Sequence, residues 1–424
     1  MNMRENVDFV LDQVREHTDW FGNSLPMIAS ENVMSPLAKK VYNSDFMDRY
    51  AEGLPHNRYY EGNIYVDEVE DKCTELAKKL YGAKFSEVRP VSATTANMAI
   101  MFAFAKPGDK VTAPKLSDGA HISTAKFGAF GVRGVTTKRY PFDQESMNLD
   151  VDGTCKLIRE EKPSVAMFGQ SVFLFPNPLT EIKDAIEEVG AVSWYDGAHV
   201  MGLIAGKQFQ DPLKEGITIL SGSTHKTLPG PQHGLILTNT EDDEFNKKIQ
   251  KAVFPGVTSN HHLHAMAALT VTLAEAIEFG EEYASQIVRN AQALGQAMHD
   301  NGFDVLGEKM GFTRSHTLSV RVVEQGGGAD VSKKLERSNV IANKNLLPED
   351  KSPINPSGIR LGVQELTRCG MKESEMKQVA DIFKRLLIDG GTEERAKEEV
   401  IELRRNFNTV QYCFDAGKPG YVFD

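Results

Sequence analysis

The sequence predicts an α/β protein with a mostly parallel sheet and helices on both faces, followed by a smaller α+β domain. Three observations carry that expectation. From Val132 to Leu237, short apolar runs alternate with helix-patterned segments, and such repeats build parallel sheets. A chain of 424 residues is long for one hydrophobic core, so two domains are expected. Beyond residue 285 the alternation gives way to separated strands and amphipathic helices. The expected division is an N-terminal helical arm over residues 1–45, a large domain over 46–284 and a small domain over 285–424.

In chain order, Phe9, Val10, Val14 and Trp20 stand among charges in an amphipathic helix. Residues 69–80 form a helix with Leu76, Ala77 and Leu80 on one side and Lys78 and Lys79 on the other. Residues 88–91 read as a short strand before an apolar helix over 96–105. Strands follow at 111–113, 164–168, 191–195, 217–220 and 235–237, with helices at 149–160 and 179–189. Asp242 opens a polar helix that Phe254, Pro255 and Gly256 break. Residues 264–279 and 281–298 read as two apolar helices. Further on, strands are expected at 302–305, 317–323, 340–341 and 361–363, and helices at 374–387 and 393–407.

Composition narrows the function classes. Formal net charge is -11 with a pI of about 5.6, which argues against non-specific binding to nucleic acid or anionic membranes. The first residues show no signal peptide, and no window reads as a transmembrane span. The four cysteines, Cys73, Cys155, Cys369 and Cys413, are widely spaced without a CxxC pair, which fits a reduced cytoplasmic compartment. His261, His262 and His264 lack the usual metal-ligand spacing and a nearby acid, so no metal site is expected.

The chemistry centres on residues 217–234. An apolar strand gives way to small and hydroxyl residues, then His225 and Lys226, then Gly230, Pro231 and Gly234 in a tight path. A lone loop lysine is ordinarily a surface lysine. Its amine can also form a Schiff base with an aldehyde cofactor, the usual anchor of pyridoxal phosphate. Asp196 stands just past another strand end, where open sheets place ligand groups. An aspartate there can pair with a pyridine nitrogen, keep it protonated and make the ring an electron sink. His199 can face the same cavity. Ser92, Ala93 and Thr94 open a helix, whose unpaired first-turn amides suit a phosphate, although capping alone explains one hydroxyl. Tyr50, Tyr59, Tyr60 and Tyr65 crowd a loop that also holds Glu52, Arg58 and Glu61; such rings make a good pocket wall. Arg360 borders a short apolar strand and can pair bidentately with a carboxylate.

With these motifs in view, the sequence resembles serine hydroxymethyltransferase, a fold-type-I pyridoxal-phosphate enzyme, over nearly its whole length. Ser223 to Thr227 with Gly230 and Pro231 looks like that family's cofactor-lysine motif. Residues 28–32, 50–53, 58–60, 196–199 and 357–360 look like its other signatures, in the same order. Residues 254–264 look most like the archaeal branch; Ser259 and Asn260 stand where glycines are common. The resemblance implies an aspartate-aminotransferase-like fold with a seven-stranded sheet, and a cytoplasmic homodimer with shared active sites in which the N-terminal region packs on the partner.

It also implies site residues. Pyridoxal 5'-phosphate would be bound by Lys226, His225, Asp196, His199, His121 stacked on the ring, Ser171, Ser92, Ala93, Thr94 and Tyr50, with Asn260 reaching it from the partner. Ala93 replaces a glycine common there. The amino acid (serine, glycine or threonine) would meet Arg360, Ser30, Glu52 and Tyr60. Glu52 is the candidate for proton handling, which requires its carboxyl to be protonated for part of the cycle. The resemblance further implies serine–glycine interconversion through a Lys226 aldimine and a glycine quinonoid. The one-carbon unit would pass to a reduced pterin, tetrahydrofolate or methanopterin-type, near Leu116, Asn345 and the loop 353–356. Changes at Ala120, Ser123, Gln232 and His233 leave open a threonine aldolase or transaldolase that transfers a glycine unit to another aldehyde.

Overall fold

The computed structural model describes residues 2–350 and 355–423; Pro353, expected in the carrier loop, lies outside the described residues. The chain divides into two compact units, Leu37–Ser285, and Met1–Pro36 with Gln286–Asp424.

The first unit is built on seven strands: β1 (Phe85–Glu87), β2 (Lys110–Ala113), β3 (Thr136–Arg139), β4 (Val165–Phe168), β5 (Val192–Asp196), β6 (Ile219–Ser223) and β7 (Gly234–Thr238). Their order across the sheet is β1-β7-β6-β5-β4-β2-β3. Every neighbouring pair is parallel except the two that involve β7. Residues 224–233, which join β6 to β7, hold no helix, so the chain turns straight back; a parallel return needs a longer crossover. β4, β6 and β7 are buried at every position, the pattern of strands covered on both faces. Trp194, Ile219 and Ile236 of the sheet share one core with Ile100 and Met101 of helix Ala93–Phe104 and with Phe130.

Two expectations about local elements are corrected. The strand expected at 88–91 lies earlier, at Phe85–Glu87. Pro90 has no amide to give a ladder, and Arg89 turns its side chain back onto Glu87, 2.8 Å from Nε to Oε1. The two helices expected at 264–279 and 281–298 are one, Leu263–Asp300. Gly280 costs only about 1 kcal/mol within a helix. It is long and apolar enough to cross a membrane by length and composition, contrary to the sequence reading, but more than half of its most apolar stretch is buried in protein.

The sheet delivers its chemistry at its carboxyl edge. β4 runs into Gly169, β5 ends at Asp196, and β6 runs into Thr224, His225 and Lys226. Gly169 has φ +98°, and a Cβ there would lie 2.1 Å from the Asp196 carbonyl oxygen. Only glycine permits that approach.

In the second unit, β8 (Asp304–Val305), β9 (Thr317–Arg321), β10 (Asn343–Asn345) and β11 (Gly358–Gly362) form an antiparallel sheet in the order β8-β9-β11-β10. Arg360 sits in the middle of β11, opposite Ser319 and Asn343, whereas the sequence placed it at a strand's start. Helices Gly328–Arg337, Glu373–Leu387 and Glu393–Arg404 complete the smaller α+β layer. The N-terminal helix Met3–Gly22 is capped by Asn2, and no residue on it is buried: Val7, Phe9, Val10 and Val14 are exposed.

Gly169→Ala should destabilise the protein by about 3 kcal/mol, because overpacking adds to left-handed strain. Gly190→Ala, with φ +67° but open space around it, should lose only about 1 kcal/mol. Thermal unfolding of both variants checks the difference.

Candidate active site

Lys226 is buried at 8% exposure in a loop that the chain laces shut. The Gly230 amide donates to the Thr224 carbonyl (2.8 Å), and Thr224 Oγ1 donates to the Pro231 carbonyl (2.6 Å). Other hydroxyls tie this loop to the turn after β5. Ser223 Oγ donates to the Ala198 carbonyl (3.0 Å), and Thr227 Oγ1 donates to the His199 carbonyl (2.8 Å) while accepting from the Gly202 amide (3.0 Å). Asp196 and Lys226 therefore rise from adjacent strand ends, with Asp196 opposite Ser221.

A buried relay orients Asp196. Trp194 Nε1 donates to Ser221 Oγ (2.8 Å), Ser221 Oγ donates to Asn97 Oδ1 (3.1 Å), and Asn97 Nδ2 donates to Asp196 Oδ2 (2.8 Å). The direction is forced, because an indole N–H can only donate. The Ala198 amide donates to the other oxygen, Oδ1, at 3.0 Å. Both carboxyl oxygens are thus held as acceptors. The sequence reading assigned Asn97 no role. Its one signal was an amide in an otherwise apolar helix.

His225 lies beside Lys226, and burial, together with the Lys226 charge, pushes its imidazole down to about 4. Its Nδ1 is buried without a hydrogen-bond partner among the described residues. His233 is fully buried; its Nε2 lies 2.7 Å from the Val88 carbonyl, and burial lowers its imidazole to about 3. Two neutral rings thus flank the lysine loop.

Ser92 caps helix Ala93–Phe104 by accepting from the Thr95 amide (3.1 Å). The amides of Ala93 and Thr94, in the first turn, have no acceptor within the helix. Gly234, at the exit of the lysine loop, packs directly on this helix start: a Cβ there would lie 2.3 Å from the Ser92 carbonyl oxygen. His121 caps a short 3₁₀ turn; its Nδ1 accepts from the Ser123 amide (3.2 Å), so the neutral ring carries its proton on Nε2. The preceding turn, which includes Leu116, is bound to the segment after β4, since the Ser171 amide donates to the Gly119 carbonyl (2.6 Å) and Gln170 Nε2 to the Asp118 carbonyl (2.7 Å).

A second cluster gathers around residues 49–60. Tyr50 and Tyr60 meet edge to face at 5.1 Å, and both are exposed. Ser259 Oγ donates to Glu52 Oε1. Asn260 accepts from the Ala51 amide (2.9 Å) and donates to the Arg49 carbonyl (3.0 Å). Buried Arg58 donates to the Ala51 and Gly53 carbonyls (2.9 and 3.0 Å) and pairs with Asp67 and Glu70 (2.8 and 2.7 Å). His261, weighed as a metal ligand in the sequence, has Nε2 3.1 Å from Glu70 Oε2. Burial raises the Glu70 carboxyl, but His261 and Arg58 outweigh it and the net shift is downward.

In the other unit, the structure brings Ser30's loop onto β11. Gln364 Nε2 donates to the Ile28 and Glu31 carbonyls (2.8 and 2.7 Å), and the Gly362 amide donates to the Met27 carbonyl (2.8 Å). Arg360 is buried, its Nε 3.3 Å from Asn343 Oδ1, and burial lowers its guanidinium to about 10. Asn345 donates to the Leu346 carbonyl (2.6 Å).

A buried lysine and aspartate on adjacent strand ends, beside a helix N-terminus, define a fold-type-I pyridoxal-phosphate enzyme. The serine hydroxymethyltransferase family model matches residues 4–383. The chain belongs to the serine hydroxymethyltransferase family. It is 56% identical over 413 residues to the serine hydroxymethyltransferase of Picrophilus torridus, covering 97% of this chain and 95% of that one. The Methanocella arvoryzae serine hydroxymethyltransferase is 51% identical, covering 99% of each chain. Among solved structures, L-threonine transaldolase from Pseudomonas fluorescens, in its internal aldimine state, superposes with a TM-score of 0.90 at 28% identity, covering 97% of this chain and 94% of that one.

The buried neutral state of His233 has a pH signature. Its folded value, about 3, lies below its ordinary 6.5. The unfolded chain therefore binds the extra proton first, and stability falls as pH drops from 6.5 toward 3, by about 1.4 kcal/mol per unit. The stability gap between wild type and His233→Gln should narrow as pH falls from 6.5 to 4 in thermal unfolding. A gap independent of pH contradicts the assignment.

Proposed function

We propose that this protein interconverts serine and glycine as a pyridoxal-phosphate-dependent hydroxymethyltransferase. The observation that carries the reading is the placement of Lys226 and Asp196 on adjacent strand ends, in a chain whose family match spans most of its length.

The residues present fit the cofactor. Lys226 offers an amine in a buried loop, His225 keeps a buried ring nitrogen without a partner among the described residues, and the Ser92 helix start offers first-turn amides and hydroxyls. Lys226, Asp196, His199, His121, Ser171, Ser92, Ala93 and Thr94 would hold it. When bound, it supplies an electron sink for the pair left at the substrate α-carbon. Arg360, with Ser30, binds and orients the substrate carboxylate; a fork of N–H donors matches that group. Glu52 takes or returns the proton of the serine side-chain hydroxyl as the Cα–Cβ bond breaks or forms. Tyr50, Tyr60, Glu52 and Asn260 serve the site of a partner subunit in a cytoplasmic homodimer. The exposed rings of Tyr50 and Tyr60 and the exposed apolar face of helix Met3–Gly22 support this. The one-carbon acceptor is a reduced pterin, tetrahydrofolate or methanopterin-type, near Leu116 and Asn345.

A second reading, a threonine aldolase or transaldolase, is favoured by the likeness to the Pseudomonas fluorescens enzyme. The two separate in a steady-state assay with L-serine and L-threonine, each with and without tetrahydrofolate or a methanopterin-type carrier. Carrier-dependent loss of the serine hydroxymethyl group is the expected result. Rapid threonine cleavage, indifferent to both carriers and accelerated by an added aldehyde, would overturn it.

A further inference from the structure

We infer that Ser259 and Asn260 are positioning residues that set Glu52 in its working orientation; the inference rests on the role proposed for Glu52. The segment 258–262 is irregular, and its side chains reach across to one short stretch, residues 49–52.

The contacts divide the task. Asn260 uses both ends of its amide on the backbone around Glu52: Oδ1 accepts from the Ala51 N–H at 2.9 Å, and Nδ2 donates to the Arg49 carbonyl at 3.0 Å. An amide spanning a donor and an acceptor two residues apart fixes that backbone as a strand partner would. Ser259, one residue earlier, donates its hydroxyl to the Glu52 carboxyl itself. Backbone and side chain of Glu52 are therefore addressed separately by two successive residues.

The support beneath is a cluster of ion pairs. The Arg58 side chain is buried and holds the carbonyls of Ala51 and Gly53, the two residues flanking Glu52. Arg58 is itself fixed by Asp67 and Glu70 of helix Ile64–Tyr81. The residue after Asn260, His261, is buried against Glu70. The stretch 259–261 thus touches the carboxyl, the backbone that carries it, and the ion cluster that anchors that backbone. A proton-transfer group works only within hydrogen-bond reach of its target, and a displacement of about 1 Å costs up to roughly a hundredfold in rate. The Ser259–Glu52 bond faces solvent, so it adds little to stability. Its effect is orientational.

The test pairs hydrogen exchange with kinetics on the cofactor-loaded, full-length protein. Asn260→Ala should speed exchange at the Ala51 amide by about tenfold or more, with the sheet amides unchanged. Ser259→Ala should leave that exchange rate as in wild type and lower kcat for serine cleavage about tenfold, with KM for serine within about twofold and the melting temperature within about 2 °C. Ser259→Thr, which keeps the hydroxyl, should restore kcat to within about threefold of wild type. Unchanged Ala51 exchange in Asn260→Ala, or wild-type kcat in Ser259→Ala, would overturn the inference. Glu52→Gln serves as the control. If it keeps wild-type kcat, the proton role of Glu52 fails and takes the kinetic half with it, while Ala51 exchange still decides the anchoring.

Discussion

Burying a carboxyl group at the end of a parallel strand costs several kcal/mol unless each oxygen finds a donor. Asp196 meets that condition through Asn97 and the Ala198 amide, and Asn97 is turned the right way by Ser221 and Trp194. The relay starts at an indole N–H, so it runs in one direction only. A hydrogen bond to a charged group contributes about 1.5–3 kcal/mol, and removing one partner leaves the other stranded. Trp194 is at once a core residue of the sheet and the source of this alignment, so the packing of the large unit and the orientation of its central acid are one constraint.

The same economy of parts recurs around the lysine. Thr227 links the loop to the His199 carbonyl and to the Gly202 amide, so hydroxyl bridges hold a buried loop that forms neither helix nor strand. Gly169 and Gly234 let neighbouring backbone come closer than any side chain would allow, one at the Asp196 strand end and the other at the Ser92 helix start. Between them, close approach and hydroxyl bridging bring an amine, an acid and a helix N-terminus to one edge of the sheet. His225 is also lowered by burial and by the Lys226 charge, so it stays neutral beside the lysine.

Much of this was legible in the sequence because it is local. An apolar run that gives way to Ser, Thr, His and Lys marks a strand end, and two such runs located Asp196 and Lys226. Ser92 was legible as a cap. The antiparallel turn of β7 had a signal in the helix-free connection 224–233, which the alternating pattern obscured. What depends on tertiary approach was not legible. Asn97 looks like a polar intrusion into a helix until Asp196 arrives from 99 residues away. Arg58, Asp67, Glu70 and His261 are separate charges in the sequence and one buried cluster in the fold. The helix Leu263–Asp300 was divided at Gly280 because glycine weighs heavily in a local reading, whereas burial along the rest of the helix outweighs it.

The central claim is that Lys226 is the anchor of pyridoxal phosphate. The most direct measurement is to load the protein with pyridoxal phosphate, reduce it with borohydride, digest it and locate the added mass by peptide mass spectrometry. The account predicts a single pyridoxyl modification, on Lys226, and its loss in Lys226→Ala. Modification of another lysine in the wild-type protein, or none, would contradict it.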